Sequence, residues 1–285
     1  MKLIVFGGNG YVGQRIIASA LKMGVEIVSI SRSGSPNSSS VGMKTLNSIL
    51  ANAPSTASIT WAKGDIFQPD EWKSHLHQAV GAISCIGAFG SNEFMEKING
   101  DANCLAVSEC LRENVPKFVF LSTVENNLPD VILKGYFNGK RRAENAVLDA
   151  YPDTGTVLRP SFIYGCREVG NISIPLGPVG KLLETVFQLP GINMLKSTIP
   201  GGRAIFATPV SVENVGLVAA ASVIAPEVLE LDSIDGDITP YKFTGILSED
   251  DINNLAKKLT TDSIEEYISS KITTIPSQAE YETKK

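Results

Sequence analysis

Short apolar runs alternate along this chain with longer segments in which apolar side chains recur every three or four residues. The apolar runs predict six β-strands, at residues 3–6, 25–31, 59–62, 82–86, 118–121 and 156–158. The periodic segments predict helices at residues 11–23, 43–51, 69–79, 103–113 and 139–151. Strands that alternate with helices pair in parallel through right-handed crossovers. The pattern therefore predicts an α/β protein with a Rossmann-type doubly wound parallel sheet.

The first predicted strand leads directly into a glycine-rich turn, GGNGYVG at residues 7–13. In such a turn Gly7 permits the sharp bend, Gly10 lets the backbone approach a ligand, and Gly13 lets the next helix pack closely on the strand. The amide groups at the start of that helix then face a pyrophosphate. Because a strand precedes the turn and a helix follows it, the motif predicts a dinucleotide site, formed by Gly7, Gly8, Asn9, Gly10, Tyr11, Val12 and Gly13. A glycine-rich turn without a ligand is the alternative.

The end of the second predicted strand indicates which dinucleotide is bound. NAD-preferring sites place an acidic residue there to bind the ribose 2′-hydroxyl, whereas this chain has Ser31-Arg32-Ser33. A guanidinium pairs with a 2′-phosphate, and neighbouring hydroxyls add hydrogen bonds, so NADP(H) is predicted in preference to NAD(H). The alternative is that Arg32 is a solvated loop cation. After the third strand, Asp65 with Ile66 is placed to meet the adenine edge, or Asp65 caps the next helix.

Candidate catalytic groups follow the fifth predicted strand. Tyr136 and Lys140 are four residues apart, so both project from one face of a helix. A cation beside a phenol lowers the pKa of the phenol, and we expect Lys140 to act on Tyr136 in this way. A phenol so placed can donate a proton to a carbonyl that receives a hydride. Ser122 and Thr123, at the end of the strand, supply hydroxyls that could hold a substrate oxygen.

Composition excludes several classes of protein. The chain has 285 residues, a formal net charge of −5 and a pI near 5.2, so no nucleic-acid partner is predicted. No apolar stretch reaches the ~18–20 residues that span a bilayer, and no signal or transit peptide is evident before the first strand. The four cysteines lack C-x-x-C spacing and are expected to be reduced thiols. Two histidines, at positions 75 and 77, have no further ligands, so no metal site is predicted.

Taken together, these motifs resemble those of the short-chain dehydrogenase/reductase superfamily, in particular the atypical, extended-like members of the NAD-dependent epimerase/dehydratase group. The resemblance covers about residues 1–220 and includes the glycine turn, Gly64-Asp65, Gly100-x-x-Asn103, Tyr136-x-x-x-Lys140, Arg159-Pro160-x-x-Ile163-Tyr164-Gly165 and Pro209-Val210-x-Val212. It implies that Thr123, with Ser122 beside it, is the catalytic hydroxyl, Tyr136 the acid/base and Lys140 its partner. It also implies cofactor contacts from Cys85, Ile86, Gly87, Asn103, Lys140, Pro160 and Ile163.

The chain departs from the family pattern N-V-x-G-T-x-N. Aligned on Gly100, the first Asn of that pattern is Lys97 and the Thr is Asp101. No second sugar-nucleotide signature is present, so sugar-nucleotide epimerase activity is not predicted. The stretches ISRSG, INGDAN, GYFNGKRRAE and VLRPSFIYG are similar to those of a narrower organellar set. It comprises plastid and mitochondrial NAD(P)-binding proteins of plants and algae, a fungal coenzyme Q biosynthesis protein and, more distantly, the NADPH-holding accessory subunit of complex I. This similarity implies a plastid or mitochondrial location; without it the sequence indicates a cytoplasmic one.

The character of the chain changes after Gly165. We interpret residues 1–166 as the NAD(P)-binding core, residues 167–260 as a small C-terminal substrate lobe interleaved with it, and residues 261–285 as a polar tail in which a frayed helix precedes disorder. The apolar residues 170–200 predict either a binding surface for an apolar substrate or the ordinary core of the lobe.

Two functions remain open at this point. The first is an NADP(H)-dependent oxidoreductase that acts on a carbonyl or quinone-like, lipid-derived substrate. The second is a non-catalytic NADPH-binding scaffold or assembly factor for an organellar membrane or quinone-biosynthesis complex. The Tyr136–Lys140 pair favours the enzyme, because a scaffold has no evident need for it. The Lys97 departure favours the scaffold.

Overall fold

A computed structural model describes residues 1–124, 133–169, 172–175, 207–225 and 245–259, of which 166–169 and 172–175 are described by their backbone. The strands are β1 (Lys2–Phe6), β2 (Glu26–Ser31), β3 (Ser58–Lys63), β4 (Ala79–Ser84), β5 (Phe118–Leu121), β6 (Gly155–Arg159), β7 (Ile163–Tyr164), β8 (Cys166–Val169), β9 (Ile172–Pro175), β10 (Val210–Ser211) and β11 (Gly245–Ser248). The helices are α1 (Tyr11–Lys22), α2 (Val41–Ala51), α3 (Asn92–Glu96), α4 (Ala102–Arg112), α5 (Lys134–Ala150), α6 (Val212–Ile224) and α7 (Glu249–Lys258). A π-helical turn at Lys97–Asp101 joins α3 to α4.

Seven strands form one parallel sheet in the order β11-β6-β5-β4-β1-β2-β3. From β1 the chain moves outward to β2 and β3, then returns to the other side of β1 to form β4. This reversal of strand order leaves a crevice at the carboxyl ends of β1 and β4, where ligands of doubly wound sheets bind. The predicted doubly wound parallel sheet is confirmed.

The core lies in two layers, one on each face of the sheet. Leu3 and Val5 of β1 belong to the layer that includes α1 and α6, whereas Ile4 and Phe6 belong to the layer beneath α4 and α5. All four side chains are fully buried. A strand covered on both faces reads as a continuous apolar run, which is why the strands could be recognised in the sequence.

The structure corrects the sequence analysis in several segments. The helix predicted at residues 69–79 is two short 3₁₀ turns, Pro69–Glu71 and Lys73–Leu76, because the buried Trp72 between them donates its indole N–H to the Asp65 carbonyl. Helix α5 begins at Lys134, before the predicted start at residue 139. The short strand β11 pairs with β6 and was missed.

The predicted boundaries of the C-terminal lobe stay predictions. Most of the apolar stretch 170–200 and all of the tail 261–285 lie outside the described residues. Within the part of the chain that the structure describes, no helix is long and apolar enough to cross a membrane.

Candidate active site

The glycine turn joins β1 to α1, and its backbone geometry requires glycine at two positions. Gly7 has a φ of +81°, in the left-handed region that favours glycine. The Gly10 N–H donates to the Gly7 carbonyl at 2.9 Å, which closes the turn. A Cβ on Gly13 would lie 2.6 Å from the Gly8 Cα. The close packing predicted for Gly13 is therefore made with the turn itself rather than with the strand.

Helix α1 starts with backbone amides that no side chain caps. Its N-cap residue is Gly10, and its first turn contains no acidic residue. The first N–H groups of any helix lack partners within the helix and carry the positive end of its dipole. The start of α1 can therefore receive the negative charge of a diphosphate without competition from a protein carboxylate.

A cavity of about 710 Å³ opens at this end of the sheet. Its volume lies within the range of cofactor sites, about 300–1,000 Å³. The predicted cofactor residues that line it are Gly7, Asn9, Gly10, Ser31, Arg32, Ser33, Asp65, Ile66, Cys85, Ile86 and Gly87. The lining residues for which no cofactor contact was predicted are Phe6, Ile30, Gly64, Phe67, Ala88, Phe94 and Ile98. The structure thus brings together predicted residues that follow four different strands.

The loop after β2 carries Arg32 at the mouth of the cavity. The Arg32 side chain is exposed, and among the described residues no carboxylate lies within ion-pair distance of it. The Asn9 side chain donates to Ser33 Oγ at 2.6 Å and to the Ser35 carbonyl at 3.4 Å, which ties the glycine turn to this loop. Asp65 accepts a hydrogen bond from the Phe67 N–H at 3.0 Å, so it caps a turn and also lines the cavity.

Other predicted cofactor residues lie outside the cavity lining: Gly8, Tyr11, Val12, Gly13, Asn103, Lys140, Pro160 and Ile163. Asn103 is fully buried, and its amide is bonded within the protein. Its Oδ1 accepts from Ser84 Oγ at 2.6 Å, and its Nδ2 donates to the Asn99 carbonyl at 3.0 Å. Asn103 therefore braces the end of β4 from behind the cavity wall, and its predicted cofactor contact stays a prediction.

Tyr136 lies beside Thr123, whose side-chain hydroxyl acts on the pKa of the phenol. The phenol stacks on Phe89, with ring centroids 4.9 Å apart and an interplanar angle of 15°. Burial raises the pKa of Tyr136, although the neighbouring Thr123 hydroxyl and the positive charge of Arg141 oppose that rise. The predicted lowering of this pKa by Lys140 is therefore wrong. The phenol is held in its protonated form, as a proton donor requires.

Lys140 does not reach the phenol oxygen because its ammonium group is bonded elsewhere. Its Nζ donates to the Leu121 carbonyl at 2.7 Å and to the Ile86 carbonyl at 3.3 Å, and lies 5.9 Å from the centre of the Tyr136 ring. Burial lowers the pKa of Lys140 to about 8. The side chain thereby joins the ends of β5 and β4 behind the cavity wall formed by Ile86 and Gly87.

The two candidate hydroxyls, Ser122 and Thr123, have different surroundings. Ser122 is buried and donates its hydroxyl proton to the Glu144 carboxylate. Glu144 also accepts hydrogen bonds from Arg141 and Arg159. Ser122 is thus part of a buried ionic network, and Thr123 is the hydroxyl beside the phenol.

Comparison with known proteins identifies the family. The model of the NAD dependent epimerase/dehydratase family matches residues 3–170. A chloroplastic protein of Arabidopsis thaliana is 41% identical over 219 residues, which cover 76% of this chain and 69% of the relative. The chain belongs to the NAD-dependent epimerase/dehydratase family. The predicted kinship and the coarser prediction of an NAD(P)-binding protein of this family are confirmed.

Further relatives of this epimerase/dehydratase family member are more distant or match less of the chain. A component of the MIOREX complex from Saccharomyces cerevisiae is 37% identical over 93 residues, which cover 32% of this chain and 30% of the relative. The UDP-glucuronic acid 4-epimerase from Bacillus cereus, solved in complex with NAD, has a TM-score of 0.53 at 15% identity and 94% and 96% coverage of the two chains. A short-chain type dehydrogenase/reductase from Mycobacterium ulcerans has a TM-score of 0.55 at 15% identity, covering 79% of this chain and 84% of its own. These two structures show the fold alone.

Three residues to which the sequence assigned no role contribute to the site. Phe89 stacks on Tyr136, and no sequence spacing links residues so far apart in the chain. The pairing of Glu144 with Arg141 could be expected from the sequence, because the two residues lie three positions apart on α5. Its contacts with Ser122 and Arg159 could not, because these residues belong to other parts of the chain. Asn99 is a buried amide of the π-helical turn that donates to the Ala88 carbonyl at 2.9 Å. It supports the cavity wall and lies two residues after Lys97, which stands where the family pattern has asparagine.

Proposed function

We propose that this family member is an NADP(H)-dependent oxidoreductase that reduces a carbonyl or quinone-like apolar substrate. The observation that carries the proposal is the shielded phenol of Tyr136, stacked on Phe89 and with the Thr123 hydroxyl beside it, next to the wall of the nucleotide cavity. A scaffold that only retains a nucleotide needs the cavity but not a shielded phenol with a hydroxyl partner. The proposal therefore depends on the chemistry of that pair.

The residues of the cavity fit a dinucleotide that carries a 2′-phosphate. The uncapped start of α1 suits the diphosphate, and a methyl group on Gly10 would meet only the Gly7 carbonyl, at 3.3 Å, so the cavity side of this residue is open to a ligand. Arg32 is an exposed cation at the end of β2, where a 2′-phosphate would be held. A bound nicotinamide cofactor supplies the hydride in such sites.

Tyr136 supplies the proton in the proposed reaction. A carbonyl that gains a hydride needs one proton on its oxygen to become an alcohol, and the Tyr136 hydroxyl provides it. Its raised pKa keeps it protonated near neutral pH. In this proposal the Thr123 hydroxyl orients the substrate oxygen, and solvent returns the proton to the phenol after turnover. Lys140 keeps the ends of β4 and β5 at a fixed separation through its two carbonyl contacts.

Exposed aromatic surface supports an apolar substrate. Phe89 is 69% exposed although its ring stacks on Tyr136, and Phe162, which follows β6, is 52% exposed. A flat conjugated ring would pack favourably against such side chains. The apolar stretch 170–200, predicted to complete this surface, lies mostly outside the described residues.

The substitution Tyr136→Phe tests the proposal directly. We expect it to lower kcat with NADPH and a panel of quinones and carbonyls by about 10²–10⁴-fold, the usual contribution of a general acid. The affinity for NADPH, measured by calorimetry, should not change, because the phenol lies outside the cavity lining. Tyr151→Phe, which removes a buried hydroxyl just after α5, is the matched control and should keep wild-type turnover. Wild-type kcat in Tyr136→Phe would contradict the proposal.

A second function has one specific observation in its favour. The yeast relative is a component of the MIOREX complex, so a role as an NADPH-binding member of an organellar assembly is the alternative. Together with the chloroplastic relative, it supports an organellar location, plastid or mitochondrion, for this protein. Mass spectrometry of molecules that copurify with the native protein separates the two functions. A bound quinone or carbonyl compound supports the enzyme, and NADPH with partner subunits and no such compound supports the scaffold.

A further inference from the structure

The carboxylate of Glu144 on α5 is the centre of a buried ionic network. Its side chain is 2% exposed and accepts hydrogen bonds from Arg141 Nη1 at 2.5 and 2.6 Å and from Arg159 Nε at 3.0 Å. Ser122 also donates its hydroxyl proton to this carboxylate. Two guanidinium groups and one carboxylate leave a net charge of +1 beneath the site. A carboxylate buried this deeply is retained only when all its partners are in place.

Arg141 connects this network to the candidate catalytic pair. While Nη1 is held by Glu144, Nη2 donates to the backbone carbonyl of Thr123 at 2.5 Å. Thr123 follows β5 directly, and its side chain lies beside the Tyr136 phenol and lowers the pKa of that phenol. The planar guanidinium of arginine suits such a link, because its donors point in fixed directions and can bridge two acceptors.

Lys140 cannot provide the same connection. Its ammonium is bonded to the carbonyls of Leu121 and Ile86, and it lies over the face of the Tyr136 ring rather than at the hydroxyl. We propose that Arg141 is a positioning residue: clamped by Glu144, its guanidinium holds Thr123 against Tyr136 and places a positive charge near the phenol. Its effect on turnover rests on the proposed function, whereas its effect on the phenol does not.

The charges that face Tyr136 are few among the described residues. Its own helix contributes Lys140 and Arg141. The segment 87–91, which supplies the stacked Phe89, contains no ionisable side chain. Helix α3 packs against α5 and carries Glu93 and Glu96, and Glu96 is paired with Arg142 at 3.1 Å. The π-helical turn, which also packs against α5, carries Lys97 and Asp101, and Asp101 is paired with Arg142. Lys140 and these groups are unchanged in an Arg141 variant, so the loss of the Arg141 charge should be felt at the phenol.

The phenol itself provides the first test. The full-length chain is prepared with 3,5-difluorotyrosine at position 136, whose phenol is more acidic than that of tyrosine and titrates at a milder pH. Its ¹⁹F chemical shift is then followed against pH. We expect Arg141→Gln to move the midpoint upward, because a cation that stabilises the phenolate is lost. Arg141→Lys keeps the charge but releases Thr123, so its midpoint should move upward by less than that of Arg141→Gln. Arg142→Gln is the matched control, since it removes the next, more exposed arginine on the same helix, and should not move it.

Turnover provides the second test and separates geometry from charge. Arg141→Gln and Arg141→Lys should both lower kcat by about tenfold to hundredfold, since neither side chain can hold Thr123 and Glu144 together, while the KM for NADPH stays constant. Arg142→Gln should keep wild-type kcat.

The proposal is overturned if Arg141→Gln shows the same ¹⁹F midpoint as Arg142→Gln. It is equally overturned if a folded Arg141→Lys variant turns over like the wild type. Circular dichroism shows whether each variant is folded. If Arg141→Gln is unfolded, the turnover of Arg141→Lys decides whether the proposal holds. If the wild type itself has no turnover but the ¹⁹F midpoint shifts as expected, the proposed function fails and the positioning role stands.

Discussion

Lys140 shows how one residue can combine a structural and an electrostatic role. Its side chain is only 4% exposed, and lysine is almost never buried to this extent without a partner. Two backbone carbonyls and the face of the Phe120 ring, 4.7 Å from Nζ, surround the ammonium. Burial lowers its pKa from 10.5 to about 8 because these neutral partners do not fully replace water.

This lowered pKa has a definite consequence for stability. Between about pH 8 and 10.5 the unfolded chain binds a proton that the folded protein does not, so the free energy of unfolding rises with pH across this window. Below pH 8 the cost of burying the charge is fully present. The difference of about 2.5 pH units corresponds to about 3 kcal/mol.

We therefore expect Lys140→Met to change the pH dependence of stability. Relative to the wild type, the free energy of unfolding of the variant should be about 3 kcal/mol higher at pH 7 than at pH 10.5, because methionine removes the cost of burying a charge that is present only at the lower pH. Urea unfolding at both pH values measures this difference. Lys134→Met, an exposed substitution on the same helix, is the control. If the free energies of unfolding of Lys140→Met and the wild type changed by the same amount between the two pH values, the expectation would be contradicted.

At the scale of elements, α5 owes its position to a contact between two glycines. A Cβ on Gly139 would lie 2.8 Å from the Gly100 N, so α5 and the π-helical turn touch through their backbones. Tyr136 and Lys140 lie on either side of this contact along the helix. The close approach lets Tyr136 reach Phe89 in the loop before α3, and lets Lys140 reach the ends of β4 and β5.

The glycine turn between β1 and α1 permits a matched pair of substitutions. Gly13→Ala should destabilise the protein by about 1–3 kcal/mol, because the new methyl overlaps the Gly8 Cα and the turn must open. Gly10→Ala should fold normally, since Gly10 has an extended backbone with a φ of −79°, but its methyl points into the cavity. We expect this variant to lose NADPH binding.

Thermal unfolding and calorimetry with NADPH check the two glycine variants. The pair is informative because each substitution adds the same methyl group to the same turn. A Gly10→Ala protein that binds NADPH like the wild type would exclude the turn as the diphosphate site. A Gly13→Ala protein as stable as the wild type would show that the turn and α1 can separate at little cost.

At the scale of the whole molecule, the cavity is a product of strand order. Its lining comes from residues at or after the ends of β1, β2, β3 and β4, so a ligand bound there contacts the ends of four adjacent strands, from β4 to the edge strand β3. A ligand that binds only the folded protein stabilises all of it by mass action, by about 2.7 kcal/mol at one hundred times its Kd. The stabilisation of the protein by each nucleotide therefore shows which cofactor binds more tightly, and the measurement needs no substrate.

We expect NADPH to stabilise the protein more than NADH at equal concentration, and Arg32→Ala to remove that advantage. The charged hydrogen bonds of Arg32 to a 2′-phosphate should contribute about tenfold or more in affinity, and NADH lacks the phosphate. Lys44→Ala, an exposed cation on α2 outside the cavity lining, is the control. Equal stabilisation by NADPH and NADH in the wild type would refute the role assigned to Arg32.

The amino-acid sequence by itself determined the elements and the nucleotide turn of this protein. Strands buried on both faces are apolar throughout, and glycine is required where the backbone of Gly7 enters the left-handed region, so these features are local and visible. Strand β11, the seventh strand of the parallel sheet, was missed because a segment of four residues shows too little periodicity. The replacement of the 69–79 helix by 3₁₀ turns depends on Trp72, whose partner lies outside that segment.

Only the tertiary structure decided the electrostatics of the site. Helical spacing placed Tyr136 and Lys140 on one face, but it could not show that the lysine is bonded to carbonyls of two strands, or that burial outweighs nearby charge at the phenol. Nor could it show that Ser122 belongs to the Glu144 network while Thr123 faces the phenol. Proton affinity depends on solvent exclusion and on contacts between residues distant in sequence, and both exist only once the chain has folded.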